Sequence, residues 1–136
     1  MGVLKTDLLR ITQSEDVVAV RQATRAWATQ LGFSLVDTTK LVTAASELAR
    51  NTLDYGGGGT VTLSSLQEAG RRGLRLLFED QGPGIADINK ALQDGYTTGG
   101  GLGLGLSGSR RLVNEFEITS QVGVGTRVTI TRWRSG

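Results

Sequence analysis

The first half of the chain combines one extended segment with two amphipathic ones. VLKTDLLRIT predicts a first strand. Ser14 and the two acidic residues after it predict a helix N-terminus, because a capping oxygen and negative charge are both favourable there. Apolar residues then recur at helical spacing as far as Gly32, at Val17, Val20, Ala23, Trp27 and Leu31. A second helix is predicted over about residues 37–54, with an inner stripe of Leu41, Ala45, Leu48 and Thr52.

The second half is mainly strand-like. TVTLSSL and LRLLFED predict two strands joined by EAGRRG, and EITSQ and TRVTITRW predict a hairpin about VGVG. ADINKALQD predicts a short helix, and LSGSRRLVNEF predicts another helix with inward-facing Leu106, Leu112, Val113 and Phe116. Because strands and helices are grouped along the chain, we expect an α+β fold, a two-layer sandwich with helices on one face of a mostly antiparallel mixed sheet.

Composition excludes several kinds of chemistry. Without cysteine or histidine, the chain has no disulfide, zinc–thiolate site, cysteine nucleophile, histidine-based triad or phosphohistidine. The net charge of +2 is too small to indicate nucleic-acid binding. No apolar run approaches the roughly 20 residues of a membrane span, and the N-terminus lacks the apolar core of a signal peptide. We therefore expect a single cytoplasmic domain over residues 1–136 that binds neither nucleic acid nor membrane.

The glycine-rich stretch TTGGGLGLGLSG, residues 97–108, is the most unusual part of the sequence. Gly103, Gly105 and Gly108 fit the dinucleotide-binding spacing, but no apolar strand precedes them and no acidic residue follows position 117. A P-loop is excluded because the chain contains no Gly-Lys pair. Two interpretations stay open: a glycine lid whose amides close over phosphates before a helix N-terminus, and a surface loop without a ligand.

Glu47 and Asn51 are four residues apart in the second predicted helix, so both side chains lie on one side of it, bordering the core. An Asn oxygen suits Mg²⁺, which takes its other ligands from phosphate and water. A carboxylate one turn away can orient or deprotonate a hydroxyl. The alternative is a solvated pair near a helix end, with no ligand.

Asp80 ends a predicted strand and precedes a tight turn that contains Gly82 and Gly84. Its carboxylate can accept a hydrogen bond from the adenine amino group, and the glycines leave room for the base. Guanine presents a carbonyl at that edge, so that two acceptors would meet. This interpretation predicts that ATP binds better than GTP. The alternative interpretation is a plain turn that binds no nucleotide.

The motifs ELARN, DQGPG, GGGLGLGL and GVGT, taken in this order over residues 47–126, resemble the nucleotide-binding boxes of the GHKL ATPase/kinase superfamily, which has the Bergerat fold. The stretches AASELARN, EDQGPGI and DGYTTGGGLGLGL are most similar to the small serine-protein kinases of the bacterial stressosome. The resemblance implies Glu47 as the catalytic acid/base, Asn51 as the ligand of Mg²⁺, and Asp80 as the residue that reads adenine. It implies further ATP contacts at Tyr55, Gly82, Gly84, Ile85, Thr98, Gly99, Gly100, Gly101, Leu102, Gly103, Leu104, Gly105 and Thr126, the last of which would support Asp80 through a water.

The resemblance also implies a function, that of an ATP-dependent protein serine kinase and binding switch in bacterial stress signalling. Such kinases transfer the γ-phosphate to a serine of a STAS-domain antagonist or scaffold protein and then bind a phosphatase-type regulator. Homodimers occur among the related anti-sigma kinases. The alternatives are an anti-sigma-factor serine kinase, a non-catalytic ATP-gated interaction module, and a histidine-kinase catalytic domain whose phosphoacceptor belongs to another protein.

One position departs from the superfamily pattern. Many members carry a basic residue shortly after the metal-binding Asn, where this chain has Asp54. The positive charge that neutralises the ATP phosphates must then come from elsewhere. The sequence offers Arg50, directly before Asn51, or the pair Arg110 and Arg111 after the lid.

Overall fold

The computed structural model describes residues 2–93 and 106–135. Within these ranges, the elements follow one another in the order expected from the sequence, β-α-α-β-β-α-α-β-β. The strands are β1 (Gly2–Ile11), β2 (Gly59–Glu68), β3 (Arg71–Asp80), β4 (Glu115–Gln121) and β5 (Gly125–Trp133). The helices are α1 (Ser14–Gln30), α2 (Leu35–Asp54), α3 (Ile88–Ala91) and α4 (Leu106–Arg111).

The strands form one sheet in the order β1-β2-β3-β5-β4. Every pairing between the described strands is antiparallel, in agreement with the mostly antiparallel sheet expected. The register sets Asp80 opposite Gly59 of β2 and opposite Thr126 of β5. The residue expected to read adenine therefore lies at the end of the central strand, with a neighbour from the terminal motif GVGT beside it.

Helices α1 and α2 pack on one face of this sheet, which confirms the two-layer α+β architecture. The inner stripes of both helices are as predicted, since Val20 and Trp27 of α1 and Leu41 and Leu48 of α2 are buried. They meet alternate side chains of the sheet, because successive residues of a strand point to opposite faces. The sheet side chains in this core include Leu63, Leu74, Leu76, Phe78, Val128 and Ile130.

Arg132, near the end of β5, ties the sheet to the start of α2. Its guanidinium donates hydrogen bonds to the Asp37 carboxylate at 2.5 Å and to the Leu112 carbonyl oxygen at 2.7 Å. Both charged side chains are largely buried. The hydrogen bonds from Arg132 hold the pKa of Asp37 at about 2, below its ordinary value of 3.8. This ion pair fixes the helix that carries Glu47 and Asn51 against the sheet.

The start of α1 differs from the prediction. Ser14 is the first residue of the helix and not its capping residue. The N-cap residue is Gln13, one residue earlier than predicted. The Asp16 carboxylate, in the first turn of the helix, accepts hydrogen bonds from the backbone N–H groups of Thr12 and Gln13, and these hydrogen bonds lower the pKa of Asp16. An acidic residue at the third helical position that reaches back to the N-cap backbone forms half of a capping box.

The two helices of the second half are shorter than predicted. In the described part of ADINKALQD, residues 86–93, the helix runs only from Ile88 to Ala91. The next helix ends at Arg111, and Phe116 belongs to β4, where its side chain packs half-buried against the core. The helix stops because the chain begins to pair with β5, and the Asn114 N–H already donates to the carbonyl oxygen of Thr131. No helix in the described ranges combines the length and the apolar character needed to cross a membrane.

Candidate nucleotide-binding site

A small cavity lies between the second half of α2 and the ends of β3 and β5. Its apolar lining comes mainly from Leu48, Phe78 and Val128. Apolar walls with a few converging polar groups are typical of a small-molecule site. The cavity also brings together residues that the sequence analysis expected to contact ATP and that are far apart in the chain, namely Asn51, Tyr55, Asp80, Ile85 and Thr126.

The Asn51 side chain contributes an unsatisfied polar atom to this cavity. Its Nδ2 is buried, and no hydrogen-bond partner for it exists within the described residues. A buried polar group without a partner costs about 1–3 kcal/mol, which is why such groups are rare and usually have a functional explanation. The two ends of an amide are assigned from their hydrogen bonds, so half a turn of this side chain presents Oδ1 instead. Asn51 can therefore meet a ligand as a donor or as an acceptor.

The Asp80 carboxylate is half-buried at the end of β3. One of its oxygens accepts a hydrogen bond of 2.9 Å from the Gly82 N–H. Burial raises the pKa of this carboxyl above its ordinary value, and the backbone N–H groups of Gly82 and Thr126 partly oppose the rise. An acceptor in an apolar setting gains most from a ligand that supplies an N–H donor. This environment suits the amino group of adenine.

Glycines surround Asp80 because no side chain fits there. A Cβ on Gly56 would lie 2.5 Å from the Asp80 Cγ, and a Cβ on Gly125 would overlap the Asp80 carbonyl oxygen. A Cβ on Gly82 would lie 2.7 Å from the Gly56 carbonyl oxygen. The sequence analysis found Gly82 but missed Gly56 and Gly125. Gly125 lies in GVGT, which was matched to the superfamily without a role for this glycine, and Gly56 lies directly after the predicted end of the second helix.

The turn over residues 81–85 is tied to the elements on both sides of it. The Tyr55 hydroxyl donates to the Gly84 carbonyl oxygen at 2.8 Å, which links the turn to the end of α2. The Ile85 N–H donates to Ser120 Oγ at 2.7 Å, which links the turn to β4. Gly84 has a φ of 77°, and a Cβ there would overlap the Gln121 carbonyl oxygen, so only glycine fits.

Glu47 lies one turn before Asn51 on α2, where it is exposed and not part of the cavity lining. Of the two residues predicted to act together, Asn51 therefore borders the cavity, and Glu47 is accessible to another molecule. Arg50 forms an ion pair with Asp54 at 3.8 Å on the exposed side of the helix. Such exposed pairs contribute little to stability. The negative charge of Asp54 nevertheless offsets the charge of Arg50.

The expected lid contacts, Thr98, Gly99, Gly100, Gly101, Leu102, Gly103, Leu104 and Gly105, lie outside the described residues. The description begins again at Leu106, the first residue of α4. The buried Leu106 side chain lines the same cavity as Asn51 and Asp80. The residue that follows the predicted lid in the sequence is therefore part of the cavity wall. Arg110 and Arg111 follow at the exposed end of α4, beside Asn89 and Gln93.

A larger groove of about 790 Å³ lies on the other side of the same strand ends. It shares Asp80 and Thr126 with the cavity, but neither Glu47 nor Asn51 lines it. The cavity itself has a volume of about 20 Å³, room for about one water molecule, so an adenine ring enters only as the walls move apart. We assign the candidate site to the smaller cavity, because it holds Asp80 together with Asn51, whose buried Nδ2 makes no hydrogen bond within the described part of the chain.

The side chains present fit Mg²⁺ only as part of a nucleotide complex. Within the described ranges, no group of three or more acidic, cysteine or histidine side chains could hold a metal ion. Asn51 offers one amide oxygen near the cavity. Mg²⁺ typically keeps several waters and takes phosphate oxygens among its ligands, so one protein oxygen is compatible with its binding.

Comparison with known proteins extends the resemblance to almost the whole chain. Residues 36–135 match the family described as histidine kinase-, DNA gyrase B-, and HSP90-like ATPase. The serine/threonine-protein kinase RsbT of Bacillus subtilis (strain 168) is 46% identical over 125 residues, which cover 92% of this chain and 94% of that protein. The anti-sigma F factor of Thermoanaerobacter sp. (strain X514) is 27% identical over 129 residues, which cover 90% of this chain and 89% of that protein.

Solved structures share the fold. The RsbU and RsbW domains of a Mycobacterium tuberculosis protein superpose with a TM-score of 0.66 at 20% identity, over 98% of this chain. This chain spans only 34% of that longer protein chain. The mycobacterial sensor histidine kinase MprB superposes with a TM-score of 0.58 at 18% identity, over 96% of this chain and 98% of the other. At these identities the structural matches establish the architecture alone.

Proposed function

This chain belongs to the family of histidine kinase-, DNA gyrase B-, and HSP90-like ATPases, and on that basis we propose that Glu47, Asn51 and Asp80 bind or act on the same ATP molecule. The protein is an ATP-dependent serine/threonine kinase of the RsbT-like kind. The observation that carries the residue assignment is the buried Nδ2 of Asn51, which has no hydrogen-bond partner among residues 2–93 and 106–135 and lies in the same cavity as Asp80. An exposed carboxylate, Glu47, lies one turn before that amide on the same helix.

The adenine base would occupy the apolar end of the cavity, between the side chains of α2 and those of β3 and β5. Its amino group would donate a hydrogen bond to the Asp80 carboxylate. The glycines around Asp80 support this placement, because they keep the approach to the carboxylate free of side chains. Thr126, opposite Asp80 in the sheet register, would complete the polar edge through a water.

The phosphates would extend from the base towards Asn51 and the glycine segment over residues 99–105. Mg²⁺, when bound through Asn51 and the phosphates, would neutralise part of the phosphate charge and align the γ-phosphate. The backbone N–H groups of the glycine segment would donate to phosphate oxygens. Arg110 and Arg111, which follow that segment in the sequence and are exposed, are the cations that we propose for the remaining negative charge.

Glu47 would act as the general base on a serine hydroxyl of another protein. It would accept the hydroxyl proton while the serine oxygen bonds to the γ-phosphorus and the bond from that phosphorus to the bridging oxygen of ADP breaks. The exposure of Glu47 supports a protein substrate, because the acceptor serine can approach from solvent. A carboxylate enclosed in the cavity would instead have favoured hydrolysis by a trapped water.

We place this kinase in bacterial stress signalling, acting in the cytoplasm, where ATP is available. Its substrate would be a serine of a STAS-domain protein, and its later partner a phosphatase-type regulator. These proposals rest on the similarity to RsbT, which covers nearly the full length of both proteins. This chain is 46% identical to RsbT and 27% identical to an anti-sigma F factor. The higher identity favours the stress-signalling kinase over an anti-sigma kinase.

The experiment that tests this function is phosphate transfer from ATP labelled at the γ-phosphate to purified STAS-domain proteins. Label on a partner serine, lost with Glu47→Gln, is the expected result. ATP-dependent complex formation without any label would instead support a non-catalytic interaction module. A pull-down that retains a sigma factor and no STAS-domain protein would support the anti-sigma alternative.

A further inference from the structure

We propose that the first turns of α2 are the docking surface for the protein whose serine accepts the phosphate, and that Val36 and Lys40 form the centre of this surface. This inference rests on the proposed kinase function, in which Glu47 is the general base. Val36 and Lys40 select a substrate that carries an apolar side chain and a carboxylate near its acceptor serine.

The exposed side of α2 forms one continuous stripe. Residues three or four positions apart lie on the same side of a helix. The stripe on the side away from the sheet runs through Val36, Lys40, Thr43, Glu47 and Arg50, and all five residues are exposed. A protein that brings a serine to Glu47 from solvent must cover part of this stripe.

Val36 and Lys40 lie within one interface of Glu47. Because an α-helix rises about 1.5 Å per residue, Lys40 lies about 10 Å and Val36 about 16 Å from Glu47 along the helix axis. A protein–protein interface of ordinary size covers about 800 Å² on each partner, a patch wider than either distance. A single substrate protein can therefore contact both residues while its serine lies at Glu47.

The fold does not account for the exposure of the apolar side chains at this end of α2. Val36 is 61% exposed, and its neighbour Leu35 is 82% exposed. Valine is a poor choice for an exposed helical position, because its branched side chain loses rotamer freedom there. Single apolar residues are common on protein surfaces. Two together, at the start of the helix that carries Glu47, are accounted for if a partner covers them.

The charges at this end of α2 determine which partner fits. Asp37 is the one acidic residue between positions 35 and 46, and it is buried and paired with Arg132. Lys40 is exposed, and the Arg134 guanidinium lies beside Gly32 in the loop before α2. The exposed surface there is positive, so that a carboxylate on the partner is complementary to it. The buried ion pair also anchors this turn to β5, which keeps the docking residues at a fixed distance from Glu47.

The test measures KM and kcat for the STAS-domain protein that takes label from ATP, together with the dissociation constant of ATP. Val36→Ala should raise KM about three- to tenfold and leave kcat unchanged, because the partner loses apolar area that it covers before and during the reaction. Lys40→Glu should raise KM at least about tenfold, whereas Lys40→Arg should keep it within about twofold. Added salt should raise KM for the unmutated protein more than for Lys40→Ala. ATP affinity should not change, since neither residue lines the cavity.

The matched controls lie on β1, on the face of the sheet that points away from the helices. Leu8→Ala truncates an exposed apolar side chain, and Arg10→Glu reverses an exposed charge. Both residues alternate with Leu9, which packs against the core, so they face the other way. Neither substitution should change KM.

The outcomes separate this inference from the proposed function. If the unmutated protein labels no STAS-domain protein, the substrate of the proposed function is wrong and the docking surface falls with it. If it transfers label and either Val36→Ala or Lys40→Glu keeps the KM of the unmutated protein, the docking surface is wrong and the kinase function stands. Lower kcat or weaker ATP binding at unchanged KM would show a purely structural effect and would also overturn the inference.

Discussion

The hydroxyl of Tyr55 lies 2.8 Å from the carbonyl oxygen of Gly84 and donates a hydrogen bond to it. Tyr55 is the residue at the end of α2, and Gly84 belongs to the turn that follows Asp80. One hydrogen bond thus connects the helix of Glu47 and Asn51 with the turn beside Asp80, the carboxylate that we propose to read adenine. We expect this contact to help set the distance between the two sides of the proposed nucleotide site.

Tyr55→Phe should therefore weaken ATP binding by about three- to tenfold while keeping the aromatic wall of the cavity. Tyr55→Leu removes the ring as well and should weaken ATP binding further. Calorimetric titration with ATP of both variants and the unmutated protein measures the difference. Equal affinities for Tyr55→Phe and the unmutated protein would mean that the hydrogen bond does not shape the site.

Glu47→Gln should leave ATP affinity within about twofold and reduce phosphate transfer at least about a hundredfold, because the amide cannot accept the serine proton. ATP binding persists because Glu47 does not line the cavity. Initial rates of label transfer to a STAS-domain substrate provide the measurement. Glu117→Gln, an exposed carboxylate removed on β4, is the control. Full activity of Glu47→Gln would exclude Glu47 as the base.

Asp80→Asn should weaken ATP binding by roughly ten- to a hundredfold and relax the discrimination against GTP, because a charged acceptor is replaced by an amide that can also donate. Its melting temperature should stay the same or rise. Burial raises the pKa of Asp80, which means that the folded protein disfavours the charged form that the substitution removes. Equal affinity of the unmutated protein for ATP and GTP would contradict the role of Asp80.

Gly56→Ala should displace the Asp80 side chain, because the new Cβ would lie 2.5 Å from the Asp80 Cγ. We expect a loss of about 1–3 kcal/mol in the free energy of unfolding and a loss of ATP binding. Gly108→Ala is the matched control, since a Cβ there meets nothing within 4 Å and the residue lies in α4. Chemical denaturation of both variants distinguishes the steric effect from a general effect of replacing glycine.

The ion pair of Asp37 and Arg132 predicts how stability depends on acid. The pKa of Asp37 is about 2 in the folded protein, against an ordinary value of 3.8. A lowered folded pKa stabilises the protein above the unfolded pKa, and this contribution, about 2 kcal/mol, is lost as the pH falls from about 4 to about 2. Urea unfolding across this pH range should show the loss in the unmutated protein. In Asp37→Asn this loss of stability between about pH 4 and pH 2 should be absent. A loss of unchanged size in that variant would mean that other carboxylates cause it.

Much of the fold could be predicted from the sequence because its patterns are local. The inner stripe of α2 and the alternation in β3 follow from helical and strand periodicity, and both are observed. The end of α4 could not be predicted in this way. Leu112, Val113 and Phe116 continue a helical spacing, but pairing with β5 turns the chain into a strand at Glu115. The end of α4 is therefore set by pairing with β5, a strand that comes later in the chain, and local periodicity does not reveal this pairing.

The candidate site shows the same division. Asn51 and Asp80 were found because each belongs to a short motif with a chemical reason for its residue types. Ser120, whose hydroxyl accepts a hydrogen bond from the Ile85 N–H in the turn after Asp80, was missed because only the folded chain creates that contact. Gly56 was missed because its neighbour in space, Asp80, is far away in sequence. Inward-facing polar residues at strand ends and glycines next to motif boundaries are the signals that would have revealed both.

The position of β1 at the edge of the sheet also bears on the order of folding during synthesis. β1 pairs with β2 alone, and between them lie both long helices. When the chain leaves the ribosome, α1 and α2 can associate early through local contacts, whereas the first strand has no partner until β2, residues 59–68, emerges. Contacts between distant segments form more slowly than local ones. The N-terminal strand, although made first, therefore joins the fold only after both long helices have been made.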